Sequence, residues 1–163
     1  MINKYTYEQL KVGTMTTLCG FSGTGKTRQC ASWAEGALAQ QQPVIWIDGD
    51  QNGPLCPSSR ASAESSRFWG FTPCGFDQAY QLVLAFCRLN HPGLVVIDSV
   101  DGLLPDRVER QRTLRQFLPR LIGAVYNSQS RLVCTSEPRS GDRSGALHIY
   151  SQTTLSLGAH HVD

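Results

Sequence analysis

Four short strand-like runs punctuate the chain: Met15 to Cys19, Val44 to Asp48, Leu94 to Asp98 and Arg131 to Thr135. The second and third are apolar at every position until a closing aspartate. A strand buried on both faces gives such a run, whereas a strand with one wet face alternates. Between the runs, apolar residues recur at helical spacing. Thr27 to Gln40 carries Cys30, Trp33, Ala34, Ala37 and Leu38 on one face. Asp77 is placed as the N-cap of a helix running through Leu89, with Ala79, Tyr80, Val83, Leu84, Phe86 and Cys87, and His91-Pro92-Gly93 stops it. From Arg110 to Tyr126, Leu114, Phe117, Leu118, Leu121, Ile122 and Val125 make one face. Pro119 lies within that pattern and is expected to kink the helix or divide it. Gln51 to Gly75 is poor in aliphatics and rich in Ser, Pro and Gly, and reads as a surface wrap with a short helix around Ala61 to Phe68. His148 to Ser151 and Thr154 to Leu157 read as a short C-terminal β hairpin. Strands alternating with helices predict an α/β three-layer fold with a mostly parallel central sheet. No repeat or linker divides residues 1–163, which read as a single domain.

The turn after the first run carries chemistry. Gly20-Phe21-Ser22-Gly23-Thr24-Gly25-Lys26-Thr27 fits G-x-x-x-x-G-K-[ST], the phosphate-binding P-loop. Its glycines let successive backbone N–H groups converge on one phosphate. Lys26 is placed to reach the β- and γ-phosphates, and the Thr27 hydroxyl to sit on Mg²⁺. The following helix aims its positive end at the same phosphates. Strand, loop and helix occur in the order the motif requires. Asp98, at the end of a buried strand, matches the Walker B arrangement, in which a carboxylate at the ligand edge of the sheet holds Mg²⁺.

Composition changes the picture little. A chain of 163 residues with 40% hydrophobic content can bury a real core. It has no run of 18 apolar residues and no signal-peptide core at Met1 to Tyr5. Residence in the nucleus of a eukaryote, or otherwise in the cytoplasm, is expected, without secretion or a membrane partner. The six cysteines form no C-x-x-C pair and no His lies at zinc spacing from them, so they read as reduced thiols with no structural metal. His160 and His161 read as a solvated tail. Trp33 and Trp46 read as packing. Phe68, Trp69 and Phe71 either close the core or form a partner-docking patch. The net charge of +2 announces no nucleic-acid partner, but eight of the arginines lie between Asp101 and Gly145.

Taken in order, the blocks resemble the ATPase core of the RecA-type recombinases, including the eukaryotic recombinase paralogues. The P-loop unit comes first, then Val44 to Asp50, then Val95-Val96-Ile97-Asp98-Ser99-Val100 with Gly102-Leu103-Leu104. Leu132 to Glu137 and Gly145-Ala146-Leu147-His148 to Leu157, with Ser151-Gln152-Thr153-Thr154-Leu155, complete the series. The resemblance covers nearly the whole chain as short blocks. It implies a RecA-like P-loop NTPase core, ATP and Mg²⁺ as cofactors, and a role in homologous recombination and DNA repair.

Two positions depart from the family pattern. Asp50 stands where the family has the glutamate that activates the attacking water. Glu137 stands at the polar position, usually glutamine, that senses the γ-phosphate. Water positioning depends on sub-ångström geometry, and a negative charge beside a γ-phosphate is unfavourable. With Lys26, Asp50 and Glu137 as the catalytic set, the resemblance implies at most a weak DNA-dependent ATPase. The family's two DNA-binding loops correspond to Leu103 to Arg112, with Arg107, Arg110 and Arg112, and to Pro138 to Ser144, with Arg139 and Arg143. Those arginines either meet backbone phosphates of single-stranded or branched DNA without reading sequence, or are solvated and paired with Asp106, Glu109 and Asp142. The chain lacks the N-terminal domain of the filament-forming members, which implies an accessory paralogue working in a hetero-oligomer with other recombinase-like subunits. Two alternatives stay open: a small P-loop kinase with a lid at Arg139 to Arg143, or a RecA-like scaffold or inhibitor acting only through protein contacts.

Overall fold

A computed structural model of the protein describes residues 5–51, 66–138 and 145–158. A 3₁₀ turn, Tyr7–Gln9, precedes the first strand. The strands are β1 Met15–Cys19, β2 Val44–Asp48, β3 Phe68–Phe71, β4 Leu94–Asp98, β5 Arg131–Ser136 and β6 Thr153–Ser156. The helices are α1 Lys26–Ala39, α2 Phe76–Leu89, α3 Val100–Leu103, α4 Arg107–Asn127 and α5 Ala146–Tyr150. The strands form one sheet in the order β3-β2-β4-β5-β1-β6, and every pairing is parallel. A wholly parallel sheet brings all strand carboxyl ends to one edge, and that edge carries the site.

Side-chain alternation splits the core into two layers. Ile45 and Ile47 of β2, Val95 and Ile97 of β4, and Leu132 and Cys134 of β5 face α2 and α4. Val44 and Trp46, Leu94 and Val96, and Val133 face α1 and Tyr7. The apolar runs of β2 and β4 are thus explained by burial on both faces. Trp33 and Trp46 are fully buried, as packing residues should be. Each such side chain contributes roughly 1.5–3 kcal/mol of burial. β3 is an edge strand, and its aromatics close the core: Trp69 and Phe71 each lie 5.5 Å from Phe86 between ring centroids.

Several expectations are corrected. The C-terminal hairpin is absent. His148 to Tyr150 belong to α5, which packs on α4 and β1, and β6 pairs in parallel with β1. Pro119 does not divide α4, which runs unbroken through it. Pro119 and Arg115, whose carbonyl loses its helical donor, are both solvent-exposed, so water can serve that carbonyl. Asp77 is not the N-cap of α2. Gly75 holds that position, and Asp77 lies in the first turn, where its charge still suits the helix's positive end. Residues 61–65 of the expected helix after Ala61 lie outside the described residues, and Phe68 is in β3.

The segment before β1 is fastened at several points. The Tyr5 carbonyl accepts from Gln29 Nε2 at 2.8 Å and from Trp33 Nε1 at 3.2 Å. The Tyr7 hydroxyl bonds Gln42 and accepts from Arg131 Nη1 at 2.8 Å. Arg131 Nε also donates to the Leu10 carbonyl at 2.9 Å. Gly36 lets Tyr7 lie against α1, because a Cβ there would come within 2.7 Å of the Tyr7 Cβ.

Candidate functional site

Gly20 to Gly25 of the P-loop motif form the loop between β1 and α1, and Lys26 and Thr27 open the helix. Gly23 and Gly25 have φ of 80° and 92°, the left-handed region that glycine occupies without strain. Nothing lies within 4 Å of a Cβ built on either, so the concave side of the loop is open. Gly20 is needed for a different reason, since a Cβ there would strike the Thr24 hydroxyl and the Leu157 carbonyl. Gly25 is the N-cap of α1 and offers no side-chain cap, which leaves the first-turn N–H groups for another acceptor. Lys26 Nζ donates to the carbonyls of Gly20 at 2.6 Å and Phe21 at 3.1 Å.

Asp98 is buried at the end of β4; the Thr135 hydroxyl donates to its carboxylate, and the Thr27 hydroxyl lies near enough to lower its pKa. Burial pushes its pKa above the ordinary 3.8, the two hydroxyls oppose that shift, and the charge of nearby Asp50 adds to it. The structure therefore brings together Thr27 and Asp98, the two residues expected to hold Mg²⁺. Asp48, in register with Asp98 on the adjacent strand, is buried beside it.

Asp50 is exposed just beyond β2, and Ser99 Oγ donates to its Oδ1 at 2.8 Å. The same hydroxyl accepts from the Gly102 N–H at 3.1 Å and so caps α3. The backbones of Gly49 and Gly102 touch here: a Cβ on Gly102 would overlap the Gly49 carbonyl, and one on Gly49 would overlap the Ser99 carbonyl. Both glycines lie in the blocks that carry the family resemblance, but the contact between their backbones has no signal in the sequence.

Glu137 lies partly buried just past β5, and its backbone N–H donates to Asp101 Oδ2 at 2.9 Å. Asp101 also pairs with Arg110. This corrects the placing of Arg110 among DNA-contacting loop residues. It is 1% exposed, and its Nη2 has no partner among the described residues. A signal for this was present. Arg110 precedes Leu114 by four positions and Leu118 by eight, so it continues the buried stripe of α4. Arg107 and Arg112 are exposed, but they stand on the first turns of α4 rather than on a loop. Asp106 caps that helix, accepting from the Glu109 N–H at 2.7 Å. Arg139, Arg143 and Asp142 lie outside the described residues, as do Cys56, His160 and His161.

The cysteines among the described residues are all free thiols, and burial pushes the Cys134 thiol up to about 12. Among the described residues no group of three His, Cys, Asp or Glu is placed to hold a metal, and no helix is long and apolar enough to cross a membrane.

A six-stranded parallel sheet flanked by helices, with a P-loop after β1 and an aspartate closing β4, defines the RecA-like P-loop fold. Among solved structures, the chain is similar to one described as the crystal structure of the RadB recombinase. The TM-score is 0.69 at 19% identity, covering 91% of this chain and 76% of that one. No family model matches the sequence, and no curated protein matches it.

Proposed function

We propose that the chain is an ATP- and Mg²⁺-binding subunit of recombinase type. It works beside other recombinase-like subunits in homologous recombination and DNA repair, and hydrolyses ATP slowly at most. The observation that carries this reading is the nearness of the Thr27 hydroxyl to the buried Asp98 carboxylate beneath an open, glycine-shaped loop. The donor set suits Mg²⁺·ATP. One hydroxyl and one buried carboxylate cannot cage a cation alone, but Mg²⁺ commonly takes one or two protein ligands together with phosphate oxygens and water. Bound Mg²⁺·ATP would supply the negative charge that the first-turn N–H groups of α1 and Lys26 attract. Lys26 would exchange its carbonyl partners for phosphate oxygens. Asp50, steadied by Ser99, would orient water, though it is one methylene shorter than glutamate. Weak turnover would not prevent nucleotide from stabilising an assembly, because any ligand that binds only the assembled form favours it. Arg107 and Arg112, exposed on α4, are the described residues proposed to meet DNA phosphates.

The test is Mg²⁺-dependent ATP binding and turnover by the purified chain beside a Lys26→Ala variant, with and without single-stranded DNA. The expected result is binding in the parent, at least tenfold weaker binding in the variant, and little turnover. Rapid DNA-stimulated hydrolysis would overturn the slow-turnover part. An absence of binding by the parent chain would favour a scaffold that acts only through protein contacts.

A further inference from the structure

A second concavity lies on the α2–α4 layer, at the opposite edge of the sheet from the P-loop. It runs along α2 from Tyr80 to its end and along the last two turns of α4, near where β4 and β5 begin, with a volume of about 650 Å³. Small-molecule sites span roughly 300–1,000 Å³. Buried Tyr80 and Ser128 lie at its floor, and exposed Arg88, His91 and Arg120 stand at its rim.

Three observations point to an occupant, and two of them to an anionic one. No carboxylate is among the described residues that line the cleft. Neither arginine makes an ion pair or hydrogen bond among the described residues, in contrast to Arg110 and Arg131. Like charges facing one cleft repel, and an anion between them relieves that repulsion. Arg88 has a local reason to be cationic, since it lies in the last turn of α2 at the helix's negative end. Arg120 lies about two turns before the end of α4 and has no such reason.

Gly123 is the third. Glycine is disfavoured inside a helix, yet the fold does not require it here. Its φ is not positive, and a Cβ would meet nothing within 4 Å. It lines the cleft, and its missing side chain widens it.

We propose that this cleft binds a small organic anion, an apolar body carrying a phosphate, sulfonate or carboxylate. The body lies over Gly123 and Tyr80, and the anionic group lies between Arg88 and Arg120. The probe is 1-naphthalenesulfonate, titrated into ¹⁵N-labelled protein and followed by amide chemical shifts. Saturable shifts are expected at Arg88, Gly123, Ala124 and Ser128. Affinity should fall at least tenfold in the Arg88→Gln/Arg120→Gln double variant and in Gly123→Leu, whose spectra also report whether each remains folded. The proposal is overturned if the shifts do not saturate, if they are confined to Gly20 to Thr27, or if a folded double variant binds as tightly as the parent.

Discussion

Burial and two nearby hydroxyls pull the Asp98 carboxylate in opposite directions, and burial wins. Its pKa in the folded chain lies above the unfolded value, so the folded state holds its proton more tightly. Stability from this group is therefore full below about pH 3.8 and is lost as pH rises through the folded value. At neutral pH the ionised group costs stability. Asp98→Asn is expected to melt higher than the parent at pH 7 in Mg²⁺-free buffer, with the gain shrinking as the pH falls toward 3.8. Thermal unfolding across that range checks it, and a gain independent of pH would refute the electrostatic cause. Residue identity alone showed that Asp98 stood at the end of a strand, but not how deeply it was buried. Arg110 makes the same point more sharply. A guanidinium in an arginine-rich stretch reads as a surface charge, and only its helical phase relative to Leu114 and Leu118 shows that it points inward.

Two long helices end in the same device. Gln41 follows α1 with φ 60°, donating to Leu38, and the Gln42 N–H returns to Ala37 at 2.9 Å. Gln129 follows α4 with φ 56°, donating to Tyr126, and the Ser130 N–H returns to Val125 at 2.9 Å. Both are Schellman ends with a non-glycine residue in the left-handed position. Such a residue is strained there, and glycine is not. Relief of that strain, less the entropy glycine adds to the unfolded chain, makes Gln41→Gly about 0.5–1 kcal/mol more stable, visible as a higher midpoint in urea. The elements themselves were largely legible. Continuous apolar runs gave β2 and β4, and a clean period gave α2 and α4. Failure came where a segment was too short to show a period. His148 to Ser151 fits a strand as well as a helical turn, and the packing of α5 on α4 and β1 decides it.

At the scale of the whole molecule, one half-buried carboxylate joins three stretches of chain. Asp101 belongs to α3, pairs with Arg110 at the start of α4, and accepts the N–H of Glu137 beyond β5. Asp101→Ala would leave the Arg110 charge buried and without its ion-pair partner, at a cost of about 3–5 kcal/mol. Arg110→Met removes the charge as well and is expected to cost much less. Chemical denaturation of both variants tests the order, and equal losses would refute it. The parallel class of the sheet could be read from its apolar runs. Its strand order, with β1 inserted between β5 and β6, could not, because nothing local encodes which strands become neighbours. The few residues ahead of β1 behave in a way their position hides. Tyr5 is held by α1, and Tyr7 and Leu10 are held by the first residue of β5. A force pulling on the amino end would thus be delivered to the centre of the sheet, and a protease cutting after Leu10 would unseat an aromatic ring from the core.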